Sequence, residues 1–180
     1  MTQSFAIRRA TGADLDRLAA LERVIFVSDA WSKALWRSEL ESPHTYYLVV
    51  ERADAGGQLV GYAGLLALAG NGDGDVQTIG LLEEARGHGL GRELMRLLHE
   101  EARRRGVREV FLDVRIDNPV AQSLYRSFGY EEIGLRKGYY QPDDVDAVVM
   151  RLRLTHTGEA QADRRAPDAE PAAPAREDIP

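Results

Sequence analysis

Apolar positions along this chain recur with two periods, and the places where the period switches predict its elements. Phe5 to Arg9 alternates apolar and polar residues, the period of a half-buried strand. Thr11 and Asp14 form a capping-type start, after which Leu15, Leu18, Leu21 and Ile25 mark one face of a helix. Ser32 is placed to cap a short second helix, Lys33 to Leu40, which must stop before Pro43. Thr45 to Arg52 and Gln58 to Leu68 read as strands joined across Ala55-Gly56-Gly57. After the loop Asn71 to Gly74 comes a strand, Asp75 to Leu82. A helix follows from Leu90 to Arg105, with Leu94, Leu97, Leu98 and Ala102 on one side and Gly106 past its end. Glu109 to Ile116 is a strand, and Asn118-Pro119 opens a helix that runs to Phe128 and ends at Gly129. Two strands, Glu131 to Lys137 and Asp144 to Leu154, close the pattern.

The order is β-α-α-β-β-β-α-β-α-β-β, an α/β arrangement. The Asp75 strand, its helix and the Glu109 strand make one crossover unit, hence a parallel pair. The other strands join through short connections, so the sheet is expected to be mixed and flanked by helices. The periodic pattern stops at Leu154. Thr155 to Pro180 holds seven alanines, four prolines and no Leu, Val, Phe, Tyr or Trp. Such a segment cannot bury enough apolar surface to offset its ordering entropy, so residues 1–154 are read as one domain and 155–180 as a disordered tail.

Composition narrows the function. The chain of 180 residues has a net charge of −6, which argues against wrapping DNA. The tail carries six acidic and three basic residues, so half of that excess lies outside the domain. There is no cysteine, which excludes disulfides, zinc ribbons and thiol catalysis. His44, His88, His99 and His156 lack metal-ligand spacing, and no metal is expected. Arg103-Arg104-Arg105 ends a helix, where positive charge suits the dipole, and is read as a solvated helix end. No run of residues spans a bilayer, and no leader pattern precedes Ala10. The expectation is a cytoplasmic protein without a membrane partner, either a monomer or a weak homodimer.

The candidate chemistry lies in Arg86-Gly87-His88-Gly89-Leu90-Gly91-Arg92, between the Asp75 strand and its helix. Glycines allow close backbone approach, and a helix start offers free N–H groups, which together suit a pyrophosphate. A plain strand-to-helix turn would also explain the cluster. It is neither a Walker A loop nor the dinucleotide fingerprint.

Arg86-x-x-Gly89-x-Gly91 after a strand resembles the acetyl-CoA loop of the GNAT N-acetyltransferase superfamily. Leu112-Asp113-Val114-Arg115, Asn118-Pro119, Leu124-Tyr125 and Phe128-Gly129-Tyr130 resemble the closing half of its core. Ala30-Trp31-Ser32, Tyr46-Tyr47, Arg136 to Tyr140 and Asp146 to Met150 are similar to the RimI-type ribosomal-protein alanine acetyltransferases within it.

The resemblance implies the GNAT fold and acetyl-CoA as cosubstrate. It implies that Ile79, Gly80 and Leu81 bind the pantetheine arm through their backbone, that Gly87 to Arg92 hold the pyrophosphate with Arg86 adding charge, and that Asn118 contacts the arm further along. Tyr125 would be the acid that protonates the leaving thiolate. Asp113 stands where the family usually has a glutamate base. Trp31, Tyr139 and Tyr140 would line the acceptor site. The residues also admit plainer readings. Tyr139 and Tyr140 are placed before Pro142 in the loop between the last two strands; on the plainer readings Asp113 would lie on a solvated face or pair with Arg115, Tyr125 and Trp31 would be core, and Tyr139 and Tyr140 would be a strand-end aromatic pair.

The implied activity is direct transfer of acetyl to a protein's N-terminal amine, with the oxyanion held by a backbone N–H near Leu81. At pH 7 roughly a tenth of an α-amine of pKa ~8 is neutral, against less than about one in a thousand for a lysine. An N-terminal acceptor therefore demands less of a short aspartate base. Lysine or small-molecule acetylation, and a non-catalytic acyl-CoA-binding module, are the alternatives.

Overall fold

In the computed structural model, which describes residues 4–27, 30–68, 70 and 72–155, seven strands form one sheet in the order β1-β2-β3-β4-β5-β7-β6. The strands are β1 (Phe5–Arg9), β2 (Thr45–Arg52), β3 (Gln58–Ala67), β4 (Asp73–Leu81), β5 (Glu109–Arg115), β6 (Glu131–Tyr140) and β7 (Val145–Arg153). The helices are α1 (Leu15–Ile25), α2 (Lys33–Glu41), α3 (Leu90–Arg104) and α4 (Pro119–Ser127). The element order matches the sequence pattern. Only β4 and β5 run parallel, as a crossover through α3 requires, and every other pair is antiparallel. Apart from Thr155, the tail expected from the sequence lies outside the described residues.

The helix starts follow the local chemistry. Ser32 Oγ accepts from the Leu35 N–H at 3.1 Å, and Asn118 Oδ1 accepts from the Ala121 N–H at 3.1 Å just before Pro119. The Thr11–Asp14 signal marks a short 3-10 turn, Gly12–Asp14, that leads into α1.

Two cores sandwich the sheet. On one face α3 and α4 bury Leu94, Met95, Leu98 and Tyr125 against Leu65, Val110, Leu112 and Met150. On the other, α1 and α2 bury Leu18, Leu21 and Trp36 against Tyr47, Val49 and Tyr62. The rings of Trp31, Tyr47 and Tyr62 pack around Trp36 at centroid distances of 5.2 to 5.4 Å. Among the described residues, no helix is long and apolar enough to cross a membrane.

Three local expectations change. Tyr139 and Tyr140 belong to the end of β6, not to a loop, because pairing with β7 resumes at Tyr140↔Val145 after an irregularity. β4 begins at Asp73, since Asp73↔Glu109 and Gly74↔Val110 already pair. Arg105 is no solvated helix end. It pairs with Glu101 at 2.8 Å and donates to the carbonyls of His44, Thr45 and Ala67, tying α3 to the β2 and β3 ends.

His99 is buried on α3, with Nε2 2.9 Å from the Tyr130 hydroxyl and the Phe128 ring edge-on at 5.2 Å. Burial, aided by Arg103, lowers its pKa to about 4. Below its unfolded pKa of ~6.5, the unfolded chain binds a proton that the folded chain excludes. Stability from this group is therefore full above pH 6.5 and lost as pH falls towards 4, by roughly 3 kcal/mol. Urea denaturation from pH 7.5 to 4.5 should show this loss, and His99→Gln should remove that part of the slope. Parallel curves for the two proteins would contradict the assignment.

Candidate active site

The site begins where two strands part. β4 and β5 pair from Asp73↔Glu109 to Val76↔Leu112, and the ladder then stops. Beyond it β4 stays with β3 as far as Leu81, while β5 stays with β7 as far as Arg115. The cause lies in the β3–β4 register. Leu65 pairs with Val76 and Gly64 with Thr78, so Gln77 is an extra residue on β4. Such a bulge bends its strand and sharpens the local twist, here away from β5. From Gln77 to Leu81 the β5-facing edge of β4 has no strand partner, and alternate backbone N–H and C=O groups open into a cleft of about 890 Å³.

The bulge also sets side-chain direction. Val76 faces the α3–α4 core, whereas Thr78 shares the face of its partner Gly64, beneath α1 and α2. Gln77 therefore joins Thr78 on that face. On β5, Val110, Leu112 and Val114 enter the α3–α4 core, so Asp113 also faces the α1–α2 side. Gln77 and Asp113 each follow the last paired residue of their strand, one on either prong of the fork.

At the open end, Arg86 to Gly89 turn the chain from β4 into α3. Gly87 and Gly89 have φ of +77° and +76°, a left-handed conformation that suits glycine. Leu90, Gly91 and Arg92 form the first turn of α3, whose N–H groups have no intrahelical partners. Arg86 Nε donates to the Leu81 carbonyl at 3.2 Å, and Arg92 reaches Ser127 Oγ at 2.9 Å. Ile79, Gly80, Leu81, Arg86, Gly87, Gly89, Leu90, Gly91, Arg92 and Asn118 all line the cleft. His88 does not, and its ring packs on Phe5 at 5.0 Å.

At the closed end, Asp113 and Tyr125 line the same cleft. Asp113 Oδ1 lies 3.5 Å from Arg136 Nε and makes no hydrogen bond among the described residues. Its ionic neighbour is thus Arg136 of β6 rather than Arg115, which pairs with Asp117 and Asp143, each at 3.0 Å. Nearby Asp75 is held above the usual carboxylate range by desolvation and by the charges of Asp113 and Asp73. Tyr125 is 4% exposed, and burial pushes its phenol well above its ordinary value, so it stays protonated. Tyr140 donates to the Asp113 carbonyl at 3.2 Å and lines the cleft. Tyr139 lies outside it, half exposed, with the Arg136 guanidinium over its ring.

Trp31 closes the α1–α2 side, and its backbone N–H donates to Glu22 Oε1 at 3.1 Å. Glu22 is buried in the cleft wall and also accepts from the Tyr62 hydroxyl. Sequence reasoning passed over Glu22, although its place one turn after Leu18 put a carboxylate on the apolar face of α1. It also passed over Gln77, for which a period-2 pattern offers no signal.

A forked β4–β5 pair, with a glycine turn and helix start at the open end and an acid–phenol pair at the closed end, defines an acyl-CoA-dependent transferase fold. Residues 14–130 match the model of the Acetyltransferase (GNAT) family, and the chain belongs to that family. Within it the chain is of the RimI type. It is 43% identical to the N-alpha-acetyltransferase RimI of Mycobacterium tuberculosis over 153 residues, covering 83% of this chain and 93% of that protein. The Escherichia coli alanine N-acetyltransferase of ribosomal protein S18 superposes with a TM-score of 0.75 at 25% identity, over 87% of this chain and 97% of that one. Arabidopsis thaliana NAA60 in complex with acetyl-CoA shares the fold, with a TM-score of 0.74 at 18% identity over 84% and 99% of the two chains.

No atom lies within 4 Å of a Cβ built at Gly87 or Gly89, so an added methyl there meets open space and acts through the backbone conformation. Gly89→Ala should cost about 1 kcal/mol of backbone strain, or roughly 2–4 °C in Tm. It should weaken a pyrophosphate-bearing ligand by about tenfold or more, since the turn must hold its N–H groups in place. Calorimetric titration with coenzyme A beside a melting curve separates the two effects. Unchanged coenzyme A affinity would show that the turn is not the anion cradle.

Proposed function

We propose that this protein transfers acetyl from acetyl-CoA to the N-terminal α-amino group of a protein, an alanine of a ribosomal protein in the cytoplasm. The observation that carries this reading is the fork, which leads from a glycine anion cradle to Asp113 and Tyr125. The RimI-type likeness supports the acceptor class.

Acetyl-CoA lies along the fork with its pyrophosphate over Gly87 to Arg92 and Asn118 beside its arm. The pantetheine arm completes the unpaired edge of β4 at Ile79, Gly80 and Leu81. The thioester then reaches the closed end. The carbonyl oxygen of the thioester then meets backbone N–H groups on the open edge of β4, between the bulge and Leu81.

The neutral amine attacks the thioester carbonyl carbon and forms the C–N bond, and charge passes to the carbonyl oxygen, which those N–H groups stabilise. Asp113 takes the proton from the resulting ammonium, directly or through one water. Collapse breaks the C–S bond, and Tyr125 gives its phenolic proton to the departing thiolate. With no cysteine in the chain, the transfer is direct rather than through an acyl-thiol enzyme.

Asp73, Asp75 and Asp113 lie on the acceptor face of the fork. Their field draws in an N-terminal ammonium, and Trp31 and Tyr140 wall the approach. Tyr125→Phe should lower kcat by about 100-fold or more, since general acid catalysis contributes 10²–10⁴, and leave acetyl-CoA affinity within about threefold. Alanine-initiated peptides should be acetylated, while matched peptides with blocked N-termini but a free lysine should not. Equal turnover of both peptides would refute the Nα assignment, and an unchanged kcat would remove Tyr125 from the chemistry.

A further inference from the structure

Among the described residues the side chain of Gln77 bonds to one other side chain, and that bond has a direction. Tyr47 on β2 is buried, with its ring over Gly64, where a Cβ would come within 2.1 Å of it. This brings the phenol tip up to the bulge. Its hydroxyl lies 2.8 Å from Glu39 Oε2 on α2 and 2.6 Å from Gln77 Oε1. Burial and the Glu39 charge push the phenol far above its usual range, so it holds its proton. One proton cannot serve two acceptors. An ionised carboxylate only accepts, and it is the stronger acceptor of the two. The proton therefore goes to Glu39, and the Tyr47 oxygen presents lone pairs to Gln77. Only the amide NH2 satisfies them, and the two ends of an amide are assigned from such a network.

We infer that Gln77 donates its NH2 to Tyr47 and turns its carbonyl oxygen into the cleft, where it accepts a hydrogen bond from the attacking α-amine. Among the described residues the outer end of the Gln77 amide makes no hydrogen bond, and Gln77 lines the cleft. It stands across the fork from Asp113, on the acceptor side of the thioester. A neutral α-amine has two N–H groups and one lone pair. With one N–H on Gln77 and the other on Asp113 or its water, the lone pair is left for the carbonyl carbon. The uncharged amide matters here, because a second carboxylate at this place would favour the ammonium, which cannot attack. Tyr47 and Glu39 act as positioning residues that fix the amide's direction.

This inference rests on the proposed function, and one set of assays tells their failures apart. Steady-state acetylation of an alanine-initiated peptide is measured for wild type, Gln77→Leu, Gln77→Glu, Tyr47→Phe and the Gln77→Leu/Tyr47→Phe double variant, with acetyl-CoA affinity by calorimetry. Gln77→Leu should lower kcat/KM for the peptide by about 10- to 100-fold, the loss expected for one transition-state hydrogen bond, with acetyl-CoA affinity within about twofold. Tyr47→Phe should lower it less and add nothing to Gln77→Leu. Gln77→Glu should move the rising limb of the pH–rate profile upward by about one unit as the added charge retains the ammonium. Turnover by Gln77→Leu within twofold of wild type, a parallel loss of acetyl-CoA affinity or an unmoved limb in Gln77→Glu would overturn the inference. A wild-type protein inactive on the peptide would instead refute the proposed acceptor, and Gln77's role towards it with it.

Discussion

One surplus residue in one strand organises this molecule. Where neighbouring strands keep register their peptide groups pair with each other, and a fully paired ladder offers a ligand no backbone groups. Gln77 breaks register between β3 and β4, and the bend that such a bulge brings carries β4 away from β5. Three consequences follow from the same bend. The cleft opens between two parallel strands. The edge of β4 is left with unpaired peptide groups, so that an extended arm can complete the ladder. The residue that causes the bend lies beside the point where the strands part.

Close packing against glycines surrounds the bend. Gly64, opposite the bulge, carries the Tyr47 ring where a side chain would otherwise stand. Further along, a Cβ on Gly61 would come within 2.4 Å of Leu81, and one on Gly80 within 3.1 to 3.3 Å of Ile25 and Phe26. The small residues of β3 and β4 thus let α1 and the aromatic cluster press onto the sheet beside the cleft. Glu22 joins the same structure from below. It receives the Tyr62 hydroxyl and the Trp31 N–H, and so fixes the chain between α1 and α2 over the site. The acceptor wall is anchored in the core rather than laid over it.

Most of the fold was legible because it depends on local signals. Caps such as Ser32 and Asn118, stops such as Gly106 and Gly129, and the two hydrophobic periods each act within a few residues. The glycine turn was legible for the same reason, and Asp113 and Tyr125 stood out through resemblance to a known family. What stayed hidden depends on register. Nothing in the local run of β4 says that Val76 and Thr78 face opposite cores with Gln77 inserted between them. That is a relation between β4 and β3, not a property of β4. The partner of Asp113 was hidden likewise. Arg115, two residues along, was the neighbour in sequence, but Arg136 arrives from β6 across β7. Tyr139 and Tyr140 looked like loop residues because pairing at the far end of β6 is irregular.

The short base and the buried acid become intelligible together. Burial raises the Tyr125 phenol, which makes it a weaker acid in water's terms but, in the proposed mechanism, keeps its proton in place until a thiolate forms in the cleft. Desolvation destabilises that thiolate too, so the proton transfer is set by the difference between two raised values rather than by either alone. In the proposed mechanism Asp113, beside Arg136, takes the amine proton, and one water can bridge the methylene it lacks relative to a glutamate. An α-amine, already partly neutral near pH 7, asks only that its proton be collected after attack. A lysine would need its proton removed beforehand, a heavier demand on a short carboxylate. The acidity of the acceptor thus favours the α-amine in the proposed mechanism.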